Sequence, residues 1–152
     1  MMIKVFNSRF ENSLRLILML NCYGEAKDLD SLYITDFITV YGKDFGISKE
    51  NLNGDNDFKY SEFQSRKVAC RNALKELVLN GLALPLKEKD GILYCITEAG
   101  REFAESLESD YAVEYRECAV SARTYLNEYT NRQVVAMINK RSSNQTKGGI
   151  NE

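Results

Sequence analysis

Tyr94-Cys95-Ile96-Thr97-Glu98-Ala99-Gly100-Arg101, directly behind the Lys89-Asp90-Gly91 turn, is the stretch whose reading decides the fold. Asp90-Gly91 separates two short apolar runs, Leu82–Leu86 and Ile92–Ile96. An Asp-Gly pair between such runs predicts a β-hairpin. Pro85, the lone proline, has no N–H to donate and suits an edge strand. Thr97 then offers a hydroxyl to cap a helix running to about Leu107.

Working upstream, Ser61 and Gln64 read as a capping box opening a helix that ends near Asn80-Gly81, with Gly81 placed for a left-handed C-terminal residue. Cys70, Ala73, Leu74, Leu77 and Val78 form its apolar face. An earlier capping box, Ser8-Arg9-Phe10-Glu11, opens a first helix whose Phe10, Leu14, Ile17 and Leu18 share one side. Leu16, Met19 and Leu20 widen that side, which predicts heavy burial. Residues 21–27 read as a polar loop, and Asp28 or Asp30 caps a second helix carrying Leu32, Tyr33, Phe37, Ile38, Val40 and Tyr41. Residues 42–60 read as a long, plain loop.

Downstream, Ser109 or Asp110 starts a long helix reaching towards Lys140, and the Ser-, Asn-, Gly- and Lys-rich tail is expected to be disordered. The order of helix, strand, tight turn, strand and capped helix is that of a winged helix. The expected fold is therefore mainly α with a small β-hairpin. It comprises a winged helix-turn-helix domain over residues 1–107, a long C-terminal helix over 108–141 packed on or extending from it, and a tail over 142–152.

Composition narrows the function. A formal net charge of −2 and pI near 5.4 do not describe a protein that coats nucleic acid, so DNA contact would rest on a local basic patch. The chain has no histidine, which excludes histidine-based triads and shuttles. No Gly-rich phosphate loop occurs, and acids such as Asp55 and Asp57 have no partner constellation. Cys22, Cys70, Cys95 and Cys118 lack metal-ligand spacing and read as small hydrophobes in a reducing compartment. The expectation is a non-enzymatic, cytoplasmic protein with no metal, no cofactor and no membrane span.

Two surfaces are candidates. Arg66, Lys67, Arg71 and Lys75 are expected on the outer side of the helix before the hairpin, with Lys87 and Lys89 flanking the turn, where phosphate contact is usual. Glu62, Glu76 and Glu88 oppose that patch, and a plain solvated helix face is the competing reading. On the C-terminal helix, Tyr111, Tyr115, Cys118, Ala122, Tyr125 and Tyr129 alternate four-three, with Leu126 beside them, a spacing that suits a helix–helix seam. A helix of about thirty residues at 1.5 Å each overhangs a small domain, so the exposed end is expected to bind a partner or self-associate as a homodimer. Packing on the chain's own first helix is the alternative.

Taken whole, the chain resembles the middle component of bacterial ABC-three-component systems, the group that includes the small subunit of Lamassu-type defence systems. The resemblance is carried by Phe6-Asn7-Ser8-Arg9-Phe10-Glu11 with Leu14-Arg15, Leu29-Asp30-Ser31-Leu32 leading to Asp36-Phe37, and Tyr41-Gly42-Lys43-Asp44-Phe45-Gly46. It continues through Arg66, Arg71, Gly81-Leu82, Tyr94 with Thr97-Glu98-Ala99, and Leu107-Glu108-Ser109-Asp110-Tyr111-Ala112, spanning about residues 5–126. Where that group carries prolines and a histidine after Asp44, this chain reads Ile47-Ser48-Lys49-Glu50-Asn51-Leu52. The resemblance implies an accessory subunit that works beside a large SMC- or Rad50-like ATPase and an effector, often a nuclease, in anti-phage or anti-plasmid defence. It implies a docking site near the ATPase heads and a link from nucleic-acid sensing to effector release, while the opposed basic patch predicts only weak DNA contact. The alternative is a PadR-like winged-helix repressor that binds DNA as a homodimer.

Overall fold

The computed structural model describes residues 9–54 and 59–150, with side chains described to residue 143. Ser8 of the first capping box, and Asp55 and Asp57, lie outside the described residues. The architecture is mainly helical with a small antiparallel sheet: α1 (Arg9–Tyr23), β1 (Lys27–Asp28), α2 (Leu29–Val40), a 3₁₀ turn (Gly42–Phe45), α3 (Phe63–Leu79), β2 (Ala83–Glu88), β3 (Gly91–Ile96), α4 (Glu98–Ser106), α5 (Asp110–Leu126) and α6 (Asn131–Ile150).

Helix α1 is the axis of the molecule. Leu16 to Leu20 are all buried, so apolar residues face every direction, and α2, α3, α4 and α5 each pack against it. Phe10 departs from the expected pattern. It sits in the first turn, 71% exposed. Helix α2 is buried from Leu32 to Val40, and its two buried threonines are satisfied locally. Thr35 and Thr39 donate to the carbonyls of Ser31 and Thr35, both at 2.6 Å. Asp28, rather than Asp30, caps α2 by accepting from the Ser31 amide at 2.9 Å.

The hairpin lies where the Asp-Gly signal places it, with Pro85 opposite Tyr94 on edge strand β2. Glu88 pairs with Gly91, so the two turn residues are Lys89 and Asp90, one position upstream of the expected pair. Strand β1 adds a third strand inside the expected polar loop, giving the order β1-β3-β2. Helix α3 begins at Phe63 with Glu62 at the N-cap, one residue after the expected Ser61. At its other end Gly81 takes φ +73° and the Leu82 amide returns to the Leu77 carbonyl at 2.9 Å.

The end of the hairpin is locked to α4. The Thr97 hydroxyl donates to the Gly81 carbonyl at 2.7 Å and accepts from the Gly100 amide at 3.0 Å. Gly100 lies so close to β2 that an added Cβ would stand 2.0 Å from the Leu82 carbonyl oxygen.

The expected single C-terminal helix is two helices. Chain direction changes over residues 127–130, and α6 turns back to pack on α2 through the fully buried Val134 and Ile138. A reciprocal capping box starts α6: the Gln133 amide donates to the Thr130 hydroxyl at 3.1 Å, and the Thr130 amide donates to the Gln133 side chain at 2.8 Å. The helix also runs through most of the segment expected to be disordered, as far as Ile150. Thr130→Ala is expected to cost about 1 kcal/mol and to speed amide exchange in the first turn of α6 while leaving α1 protected. Unchanged exchange there would mean that packing alone sets the break.

Candidate functional site

Four helices meet at Asp36. Arg15 of α1 donates from Nε to Asp36 Oδ1 at 3.0 Å and from Nη2 to Oδ2. Arg66 of α3 donates to Oδ2 at 2.7 Å and to Asn12 Oδ1 at 3.0 Å. Tyr115 of α5 donates to Oδ1 at 2.7 Å. Asp36 and Tyr115 are 0% exposed and Arg15 1%. Glu11 joins the edge of the cluster, 3.3 Å from Arg15, and Tyr111 donates to Asn53 at 3.0 Å and lies 3.4 Å from Glu11. One buried carboxylate thus holds two buried guanidiniums, with a second carboxylate, Glu11, at the partly exposed rim. Burial alone would raise the Asp36 carboxyl, but the adjacent charges of Arg15 and Arg66 and the bonds from Arg15 and Tyr115 hold it well below the usual carboxylate range. Burial pushes the Tyr115 hydroxyl well up, and Asp36 reinforces that.

Cys70 lies one turn from Arg66, fully buried, its sulfur 3.9 Å from the guanidinium. Burial drives its thiol up to about 12. All four cysteines are free, and the other three are half-buried. Among the described residues, no group of three or more acids, cysteines or histidines converges to hold a metal.

This hub corrects the basic patch. Arg66 does not face outward. It lies on the same stripe as Cys70, Ala73 and Leu77 and is only 7% exposed, because Asp36 beneath that stripe draws it inward. Lys67 is half-exposed and is taken by Asp30 at 3.1 Å over the Tyr33 ring. Arg71 and Lys75 remain exposed on α3, and Lys87 and Lys89 on the hairpin. Glu76, one of the opposing acids, is engaged by Arg9 at 3.0 Å.

The tyrosine seam is internal. Tyr115 is inside the hub, and Tyr111 stacks beside it with ring centroids 6.4 Å apart. Tyr125 packs against Phe45 at 5.9 Å and Tyr129 at 4.9 Å, and Leu126 joins the same core. The overhang that would have exposed Tyr125 and Tyr129 does not form, because α5 ends at Leu126 and α6 folds back.

The loop after α2 is organised around Asp44, which accepts from Tyr60 at 2.6 Å and Asn51 at 3.2 Å and pairs with Lys59 at 2.8 Å. Arg141 of α6 donates to the Asp44 carbonyl at 3.0 Å and lies 4.5 Å over the Phe45 ring. Arginines of α5 act similarly at helix ends. Arg116 donates to the Ala104 carbonyl at the end of α4, and Arg123 to the Cys22 carbonyl at the end of α1, both at 2.6 Å.

Two open hollows among the described residues are mainly apolar. A groove of about 400 Å³ runs between α1, α3 and α4, lined by Phe10, Leu14, Leu77, Leu82 and Phe103. A second hollow, about 330 Å³, lies between the end of α3 and the sheet. No described helix is long and apolar enough to cross a membrane.

Comparison with curated proteins and with solved structures gives no match. The family described as "ABC-three component (ABC-3C) system Middle Component 2" matches residues 5–147, which extends past Leu126 to include most of α6. Several residues that carry the resemblance, Glu11, Arg15, Asp36, Arg66 and Tyr111, are members of the buried hub. The chain belongs to the ABC-three-component middle component 2 family.

Proposed function

We propose that this chain is a non-catalytic, cytoplasmic winged-helix subunit of a Lamassu-like defence complex. In this reading it docks on a large SMC- or Rad50-like ATPase and helps couple nucleic-acid sensing to an effector nuclease. The observation that carries the reading is the family match over nearly the whole chain, which makes it one component of a multi-component system. The helix–sheet order of α1, β1, α2, α3 and the β2-β3 hairpin supports the winged-helix reading. A repressor-like homodimer is less well supported, since the C-terminal helix that would pair two copies lies on α2 of its own chain.

The test is co-expression with the products of the neighbouring genes. The chain is expected to co-purify with the large ATPase and to change its nucleotide turnover in the presence of DNA. A chain that purifies alone, with the ATPase and effector assembled without it, would overturn the proposal.

DNA binding by the isolated chain is expected to be weak. With Arg66 buried and Lys67 paired, four of the six candidate cations remain for phosphate: Arg71, Lys75, Lys87 and Lys89. Counterion release from roughly four contacts gives a slope of log affinity against log salt no steeper than about −3.6. Affinity should therefore fall roughly a hundredfold between about 50 and 200 mM salt. Tight binding that survives high salt would point to sequence-reading by the hairpin or α3 instead.

A further inference from the structure

The solvent side of α3 carries Val68, Arg71, Lys75 and Leu79, spaced three to four residues apart and so aligned along one stripe. Val68 is 53% and Leu79 81% exposed. Beside Leu79 the hollow between α3 and the sheet is lined by Lys75, Val78, Leu79, Pro85 and Tyr94, so it is apolar except at its cationic rim. No acid stands on this stripe. Single exposed apolar side chains are ordinary. Here, however, two of them bracket a pair of cations, and one borders a hollow large enough for a side chain from another molecule.

We propose that the outer face of α3 and this hollow are the docking site for an acidic, amphipathic helix of a partner subunit. An apolar side chain of that helix seats against Leu79 and Pro85, and its carboxylates meet Arg71 and Lys75. The inference rests on the accessory-subunit reading. Charge complementarity identifies the occupant: the stripe offers positive charge beside apolar surface, the pattern met by a helix whose carboxylates flank its apolar side. A nucleic acid would use the two cations but would leave Leu79 and the hollow facing a charged backbone. That wastes the apolar surface, and two cations give little counterion release.

The full chain, co-expressed with its neighbouring gene products, provides the test. Leu79→Asp and the pair Arg71→Glu/Lys75→Glu are each expected to reduce recovered partner at least tenfold, with melting temperatures unchanged because all three residues are exposed. Phe10→Asp, in the other groove, should leave recovery at the wild-type level. Normal assembly of both α3 variants overturns the proposal, as does loss of assembly in Phe10→Asp alone. If the α3 variants assemble normally but lose binding to a 30-base-pair duplex, nucleic acid occupies the face and the proposal fails. If the wild-type chain recovers no partner, the accessory-subunit reading fails and this inference falls with it, an outcome distinct from loss in the variants only.

Discussion

Asp36→Ala is expected to destabilise the fold by on the order of 3–5 kcal/mol, because it removes the buried carboxylate that two buried guanidiniums share. For a chain of this size that lowers the melting temperature by roughly 6–20 °C, a large share of the stability of an ordinary domain. The same carboxylate gives the protein an acid sensitivity of defined sign. Its folded pKa is depressed, so its stabilisation is complete above the unfolded carboxyl value of about 4 and is lost progressively as pH falls towards the folded value. Asp44 is also held low against its own burial, by bonds from Lys59, Tyr60 and Asn51, and acts in the same window. Urea unfolding from about pH 6 to pH 3, wild type against Asp36→Ala, isolates the Asp36 share: the variant should show the flatter dependence. Parallel curves would mean that the hub does not set acid stability. Charge reversal at Arg66 should unfold the chain rather than report on DNA contact, since Arg66 is buried against Asp36.

Gly100→Ala is the second large effect. Its methyl group would meet the Leu82 carbonyl oxygen at 2.0 Å and the Ile96 side chain at 2.8 Å. The carbonyl has little freedom to retreat, since it accepts from the Thr97 amide at 3.1 Å. Helix α4 must move away from the sheet, and the Thr97 cap goes with it. The cost should reach or exceed the upper end of the about 1–3 kcal/mol typical of overpacking. The exposed neighbour Arg101→Ala should fall within about 0.5 kcal/mol of wild type. Thermal melts of both variants check this, and a Gly100→Ala protein that melts like wild type would show that α4 is free to slide.

Local chemistry in the sequence reaches the hairpin, the caps at Asp28, Thr97 and Ser109, and the glycine that ends α3. Each is a signal contained within four or five residues. The break before α6 escapes such reading because no glycine or proline marks it. Its signal is Thr130 with Gln133, a capping box hidden in a polar run that also reads as continuous helix. The hub was visible in part. Arg15 interrupts the run Leu14–Leu20, Asp36 sits amid Leu32–Val40, and Arg66 is spaced four and seven residues from Cys70 and Ala73. A charge on an apolar stripe signals a buried ion pair, but the partners lie 21 and 30 residues apart, which no local pattern specifies. Arg66 has the local pattern of a surface cation and the environment of a buried one. The tyrosine spacing likewise fixes one face of α5 but not what covers it, so an external seam and internal packing share one pattern.

Cys70 makes the hub observable through a residue the chain already carries. Its sulfur is sealed beneath α3 next to Arg66, and its thiol is protonated throughout the neutral range. Alkylation by a maleimide needs thiolate and access, so in a chain whose other three cysteines are serine, labelling can proceed only when α3 lifts from α1 and α2. The labelling rate then counts openings of the four-helix junction. Measured with and without an assembled partner, it would report how strongly a molecule bound at the surface clamps the centre.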